Sequence, residues 1–161
     1  MNENLFKAII NKNLYQIFFF DCPASIPTQF FRHCWIVYSK KGEITRKETL
    51  PMKNRKNSNY MYTDVLLPAR GIRCFLPLKK PKWESRLIAQ LKGNENSLAK
   101  KIIDFVEKSE ENYPYANKFC FLGPNCNTYV QWVLDNFQEY EEIRQIKLPW
   151  NAVGKGYKIR K

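Results

Sequence analysis

The stretch GPNCNTY, residues 123–129, combines the start of a helix with a cysteine. Gly123 and Pro124 interrupt the preceding element, and Asn125 is a preferred helix N-cap residue. Apolar side chains then recur at helical spacing on one face, at Cys126, Val130, Val133, Leu134 and Phe137. The pattern predicts a helix that ends near residues 136–139, with Cys126 facing inward from its first turn.

A cysteine in this position is a candidate nucleophile. Unpaired backbone N–H groups and the helix dipole favour an anion at a helix start. The pKa of a free thiol is about 8.5, and such a site beside a histidine lowers it to roughly 3.5–7.5. Because the thiolate is the reactive form, Cys126 is the first residue to consider for catalysis.

The only histidine, His33, lies in FFRHCWIVY (30–38), which is rich in aromatic and β-branched residues and predicts a strand. Period-two alternation places His33 on one face with Phe31, Trp35 and Val37. A turn at 39–42 leads to a second predicted strand at 43–50, where Glu48 shares a face with Ile44, Arg46 and Leu50.

The register of this hairpin decides whether Glu48 reaches His33. A four-residue turn at 39–42 puts the two residues directly opposite, with Cβ atoms about 4.5–5.5 Å apart. A two-residue turn at Lys41-Gly42 makes them diagonal neighbours at about 7–8 Å, still within reach of long side chains. A three-residue turn puts them on opposite faces. Two of the three registers therefore allow a Cys–His–Glu triad.

In this triad Cys126 is the nucleophile, His33 the base and Glu48 the group that orients the imidazole. The backbone N–H of Cys126, with a side chain of Asn125 or Asn127, would form the oxyanion hole. Trp35 and Trp150 are the candidate substrate contacts. The chemistry needs neither a metal nor a cofactor.

Each residue also has a structural interpretation. A histidine on a strand is often a satisfied core residue, and a cysteine at a helix start often packs as a small buried hydrophobe. A glutamate on a hairpin often pairs with a nearby cation, and Arg46 lies two positions from Glu48 on the same face. The triad hypothesis depends on the three positions coinciding.

The rest of the chain predicts an α+β fold with a small antiparallel sheet packed against helices, in a single domain over residues 1–161. Its core spans about 30–157, and residues 1–25 form an N-terminal extension. Other predicted elements are a short helix within 2–13, a strand at 15–20, a basic loop at 52–63 and short strands at 65–67 and 72–76. Two further helices are predicted, one at 84–91 and one that starts near Asn96 or Ser97 and ends near residue 110.

Composition bounds the partners. The net charge of +12 favours an acidic partner, which could be nucleic acid, an anionic membrane surface or an acidic protein, or it serves only solubility. The sequence contains no zinc-finger, RRM or KH signature, so we do not expect specific nucleic-acid recognition. No apolar run has the length of a signal peptide or a transmembrane segment. We expect a cytoplasmic protein, although signal-independent secretion would leave no mark in the sequence.

The five cysteines, at positions 22, 34, 74, 120 and 126, follow no disulfide or zinc spacing, which favours a reducing compartment.

Several segments resemble a bacterial domain family of unknown function, placed among the permuted NlpC-type and lecithin retinol acyltransferase-like relatives of papain. The matching segments are His33-Cys34-Trp35, Glu48, Tyr113-Pro114, residues 123–129 and residues 148–157. The resemblance implies a circularly permuted papain-like fold and hydrolysis or acyl transfer at an amide, thioester or ester. The family often carries Ser at the position of Cys126.

Three hypotheses follow. The first is a cysteine-dependent hydrolase or acyltransferase with an acyl or peptide substrate. The second is a non-catalytic papain-like binding module whose basic surface meets nucleic acid, anionic lipid or an acidic protein. The third is an inactive papain-like fold used for protein interaction. The sequence identifies no substrate.

Overall fold

The computed structural model describes residues 1–25, 27–56, 58–73 and 82–158. These residues form an α+β structure, as the sequence predicted, and its sheet has five antiparallel strands. The strands are β1 (Tyr15–Pro23), β2 (Arg32–Lys40), β3 (Glu43–Thr49), β4 (Met61–Thr63) and β5 (Arg86–Gly93). The helices are α1 (Glu3–Ala8), α2 (Leu98–Glu107), α3 (Ser109–Asn112), α4 (Cys126–Asp135) and α5 (Glu141–Gln145).

The strand order is β4-β3-β2-β1-β5, and every neighbouring pair is antiparallel. β1 pairs with β2 on one side and with β5 on the other. Residues 15–23 are therefore an internal strand of the sheet. The sequence analysis assigned residues 1–25 to an N-terminal extension. Residues 15–23 instead belong to the sheet, because their backbone groups pair with both neighbouring strands.

The sheet buries both of its faces. On the helix face, residues of β1 and β2 pack against α2 and α4, among them Ile17, Phe19, Cys34, Ile36 and Tyr38. On the α1 face, a smaller cluster contains Phe6, Phe18, Phe20, Cys22, Trp35, Val37 and Ala69. Burial on both faces explains why β1 and β2 read as nearly continuous apolar runs.

The β2–β3 hairpin has the two-residue turn. Lys40 pairs with Glu43, and the turn residues Lys41 and Gly42 have φ angles of 52° and 99°. Two positive φ angles match the right-handed twist of the flanking strands, which is why such turns suit short hairpins. The ladder between β2 and β3 ends at Ile36 opposite Lys47, so His33 and Glu48 lie beyond its last pair.

Three element predictions were wrong. Residues 86–93 form β5 rather than a helix, and residues 65–67 lie outside any strand. β4 lies within the segment predicted as a loop. The predicted strand at 72–76 falls outside the described residues from position 74 onward. Side chains in 84–91 have good helix propensity, but the open edge of β1 offers backbone partners that outweigh this weak preference.

The helix starts were predicted better. Ser97 caps α2 and Asn125 caps α4, each through its side chain. The single helix predicted for 97–110 is interrupted at Lys108, where α2 ends and the four-residue α3 follows.

Candidate active site

Cys126 is the first residue of α4 and is buried on the side that packs toward β2. Asn125 Oδ1 accepts hydrogen bonds from the N–H groups of Asn127 and Thr128, and the Thr128 hydroxyl accepts one from the N–H of Asn125. This reciprocal capping box fixes the first turn. Within the described residues, the backbone N–H of Cys126 donates no hydrogen bond, so it is free for a ligand.

The two asparagines flanking Cys126 serve as clamps. Asn125 Nδ2 donates to the carbonyl oxygens of Phe121 and Val153, at 2.7 and 3.0 Å. Asn127 Nδ2 donates to those of Arg32 and Val153, at 2.9 and 2.8 Å. Asn127 Oδ1 accepts from the N–H of Cys34 at 3.1 Å. Both amide groups are therefore occupied by backbone, and they join α4 to β2 and to the C-terminal segment.

The C-terminal segment 148–157 closes over the start of α4. The Thr128 hydroxyl donates to the Gly154 carbonyl at 2.7 Å. Gly154 has a φ of 87°, and a Cβ there would lie 2.5 Å from Asn125 Nδ2. Only glycine tolerates both the backbone conformation and this close approach. Gly154 thus allows the C-terminal segment to pack against the N-cap residue Asn125.

His33 and Glu48 meet as the two-residue-turn register allowed. Glu48 Oε2 lies 2.8 Å from His33 Nε2, and both side chains are almost fully buried. The imidazole lies over Trp35, with ring centroids 5.7 Å apart. Since Nε2 faces the carboxylate, Nδ1 is the ring nitrogen that remains for another partner. The Cys126 thiol donates to Asn127 Oδ1 at 3.7 Å.

Arg46 holds the other side of the carboxylate. Its Nη2 donates to Glu48 Oε2 at 2.8 Å, while Nε lies 2.7 Å from Oε1 at an angle outside that of a hydrogen bond. The fully buried guanidinium lies 4.3 Å from the ring centroid of Trp35, and its Nη1 donates to the carbonyl oxygens of Leu67 and Arg70. Glu48 therefore contacts both His33 and Arg46, which the sequence analysis treated as alternatives.

Electrostatics favour charged forms at this site. Burial acts to lower the pKa of His33, but the Cys126 thiolate, which also hydrogen-bonds to the ring, and the Glu48 carboxylate outweigh it and raise this pKa to about 9. Burial acts to raise the pKa of Glu48, but the Arg46 and His33 charges outweigh it and hold this pKa below its usual value. The arrangement can therefore support a buried imidazolium beside the Glu48 carboxylate.

Two of the other described cysteines, Cys22 and Cys34, are poorer nucleophile candidates. Burial raises the pKa of Cys22 to about 12 and that of Cys34 well above its usual value. Cys120 is exposed, and all four described cysteines are free of disulfides.

The two candidate substrate contacts differ. Trp35 is fully buried beneath His33 and donates through Nε1 to the Pro68 carbonyl at 2.9 Å. It supports the imidazole rather than facing a ligand. The Trp150 side chain is 90% exposed in the C-terminal segment. Other exposed apolar side chains occur in the segments that contact the start of α4 or β2, at Phe30, Phe121 and Leu122.

Sequence reasoning did not select Tyr113 as a candidate site residue. Its hydroxyl is buried and has no hydrogen-bond partner, whereas that of neighbouring Tyr129 lies 2.9 Å from Ser109 Oγ. The Tyr113 ring packs 5.2 Å from the ring of Tyr129, in the first turn of α4. Burial raises the pKa of Tyr113, and the charge of the Cys126 thiolate adds to this. The Tyr-Pro pair was the only signal in the sequence.

Among the described residues, no cluster of three or more His, Cys, Asp or Glu side chains could hold a metal ion. In the same part of the chain, none of the helices combines the length and the apolar character needed to cross a bilayer.

Comparison with known families gives one match. Residues 15–157 match the family model described as "Protein of unknown function (DUF3750)". No curated protein and no solved structure matches the chain.

Proposed function

The chain belongs to the DUF3750 family of unknown function, and we propose from its site that it is a cysteine-dependent hydrolase or acyltransferase. The observations that carry the proposal are the buried contacts from Arg46 through Glu48 to His33, together with the influence of the Cys126 charge on the pKa of His33. A nucleophile, a base and a group that orients the base are the components of covalent acyl transfer.

The proposed reaction starts with Cys126 as thiolate and His33 as imidazolium. The sulfur attacks the carbonyl carbon of an amide, thioester or ester, and the C=O electron pair moves to oxygen. The intermediate then collapses, the bond to the leaving group breaks, and His33 gives its proton to that group. A thioester forms on Cys126. Water completes a hydrolysis, or another nucleophile completes an acyl transfer, with His33 accepting the proton of the attacking group.

Two donors are proposed for the oxyanion. One is the backbone N–H of Cys126, which has no partner in the described part of the chain. The other is the hydroxyl of Tyr113, which is buried and unpartnered. Asn125 and Asn127, the donors predicted from the sequence, already donate their amide hydrogens to backbone carbonyls. We assign them to holding the loop on which Cys126 sits.

A circularly permuted papain-like fold of the NlpC type is part of the proposal. Its support is the chain order, in which His33 and Glu48 lie on adjacent strands before the helix that begins at Cys126. A fixed constellation of roles, rather than a fixed order of residues, defines such triads.

The test is alkylation by iodoacetamide as a function of pH, read at each cysteine by mass spectrometry. We expect Cys126 to react at pH 6, where exposed Cys120 serves as the internal reference, and His33→Ala to slow Cys126 about tenfold or more. A panel of acyl thioesters, esters and peptide amides should then leave an acyl adduct on Cys126. Equal alkylation profiles for Cys126 in wild type and His33→Ala would refute the triad.

A second candidate is a non-catalytic binding module. It is favoured by the net charge of +12 together with the exposed aromatic side chains of Phe30 and Trp150. Its partner would be an anionic lipid surface, nucleic acid or an acidic protein. Binding that weakens steeply with salt and is unchanged in Cys126→Ala would support this candidate over the enzyme.

A further inference from the structure

A buried carboxylate beside the candidate site holds two arginines. Asp21 is fully buried in β1. Its Oδ2 lies 2.7 Å from Arg32 Nε and 2.9 Å from Arg86 Nη2, and its Oδ1 accepts from Arg86 Nε at 3.0 Å. We infer that Arg32 and Arg86 form an anion subsite next to Cys126, which takes the carboxylate or phosphate group of a substrate.

The subsite lies on the sheet face that carries Cys126. In the ladders, Asp21 is paired with Cys34 of β2 and with Arg86 of β5. Asp21 alternates with Ile17 and Phe19, so it points to the helix face. α4 packs against β2 on this same face, and its Asn127 accepts a hydrogen bond from the N–H of Cys34, the ladder partner of Asp21.

Arg32 ties the subsite to the nucleophile. Its carbonyl accepts a hydrogen bond from Asn127 Nδ2 at 2.9 Å, and Asn127 directly follows Cys126. Its backbone N–H donates to the carbonyl of Asn151 in the C-terminal segment. The residue after Arg32 is the proposed base His33. The backbone of Arg32 therefore joins the residue that follows Cys126 to the strand that carries the proposed base.

The arginines keep donors for a ligand. Arg32 uses only Nε for Asp21, so within the described residues both of its Nη groups have no partner. Arg86 uses Nε and Nη2, which leaves Nη1. The side chain of Arg32 is 20% exposed and that of Arg86 62%, against 0% for Asp21. The remaining donors can thus be reached from solvent.

The local charge around Asp21 also favours an anionic ligand. Two guanidinium groups face one carboxylate, which leaves a local charge of +1 (2 − 1). One arginine would suffice to neutralise Asp21. Asp21 holds both guanidinium groups in place before a ligand arrives, and such preorganisation reduces the entropy cost of binding. Guanidinium forks match the geometry of carboxylate and phosphate groups.

The inference rests on the proposed function only for its use of Cys126 as the reacting group. The first experiment compares alkylation of Cys126 by iodoacetate, which carries a carboxylate, with alkylation by neutral iodoacetamide. In both reactions the sulfur displaces iodide, so the ratio of the two rates reports the anion alone. We expect Arg32→Gln and Arg86→Gln each to reduce this ratio about tenfold, with Arg55→Gln, an exposed loop position, as the unchanged control.

Arg32→Lys controls for misfolding, because lysine keeps a positive charge beside Asp21 but lacks the guanidinium donors that would bind a ligand. We expect it to retain the fold and to lose part of the preference for iodoacetate. Protection of Cys126 by succinate or by inorganic phosphate distinguishes a carboxylate ligand from a phosphate ligand.

The second experiment does not need a reactive thiol. Succinate and phosphate are titrated into the Cys126→Ala protein, and the Nε–H signals of Arg32 and Arg86 are followed by NMR. Shifts of these signals without preferential alkylation of Cys126 over Cys120 would support the anion subsite and refute the proposed chemistry. An unchanged rate ratio in all variants, with no shift of either signal, would overturn the inference.

Discussion

Glu48 Oε2 lies 2.8 Å from His33 Nε2 although the two residues do not face each other in the β2–β3 ladder. The last pair is Ile36 with Lys47, and continuing this register puts Glu48 opposite Trp35. The long glutamate side chain covers the diagonal distance, and Arg46 donates to the same Oε2 through Nη2 while its Nε lies 2.7 Å from Oε1. The orientation of the imidazole therefore depends on a three-residue charge chain rather than on a directly opposed pair.

The titration of His33 should depend on Cys126. In the wild type, the thiolate and Glu48 outweigh burial and raise the pKa of His33 to about 9. In Cys126→Ala the thiolate is gone and burial still opposes the charge, so the pKa of His33 should fall. Because the chain has one histidine, a single imidazole signal followed by NMR from pH 5 to 10 reports it directly.

Glu48→Gln should lower the same pKa, since the carboxylate also favours the charged ring. Cys120→Ala, which changes an exposed thiol, is the matched control and should leave the titration unchanged. If Cys126→Ala leaves it unchanged as well, His33 and Cys126 do not interact.

Arg46 should matter most as the counter-ion of Glu48. Arg46→Met leaves a buried carboxylate without its main cation and should reduce the free energy of unfolding by about 3–5 kcal/mol. The double variant Arg46→Met with Glu48→Leu removes both charges and should recover most of this loss. Urea unfolding measures both. A double variant as unstable as the single one would show that lost packing, rather than the unpaired charge, sets the cost.

The same double variant separates stability from chemistry. It should remain folded while the alkylation of Cys126 at pH 6 slows, because His33 has lost the group that orients it. Arg55→Met, at an exposed position, should change neither property.

Asn127 should be a clamp rather than an oxyanion donor. Asn127→Ala leaves the N–H of Cys34 and the carbonyls of Arg32 and Val153 without this partner, so we expect a loss of about 2–4 kcal/mol in the free energy of unfolding. Asn136→Ala, at the exposed end of α4, is the control and should cost less than about 1 kcal/mol. A stable Asn127→Ala protein with a large loss of turnover would instead favour the oxyanion role.

Tyr113 should show the opposite pattern. Tyr113→Phe removes a buried hydroxyl that has no partner, so stability should be unchanged or improved. If the hydroxyl stabilises the oxyanion, acylation of Cys126 by a thioester probe should slow about 100-fold. Tyr115 packs against the ring of Tyr113, so Tyr115→Phe is the control and should leave the acylation rate unchanged. Equal acylation rates in wild type and Tyr113→Phe would remove Tyr113 from the proposed site.

Local sequence signals predicted the parts of the structure that short-range chemistry governs. The Gly-Pro break and Asn125 predicted the start of α4, because an N-cap is satisfied within three residues. Alternation in 30–38 and 43–50 predicted the hairpin and the common face of Arg46 and Glu48. It left the turn length open, because Lys41 at positive φ is an unusual choice for such a turn.

Long-range pairing governed the rest. The segment 86–93 has the composition of a helix, and only the edge of β1 made it a strand. Asp21 lies 65 positions from Arg86, and Asn127 lies 26 from Val153, so no local pattern could join them. The sequence by itself determined where Cys126 and His33 sit in their elements. Tertiary structure decided which polar groups surround them, because buried hydrogen-bonding groups find their partners only when distant segments pack together.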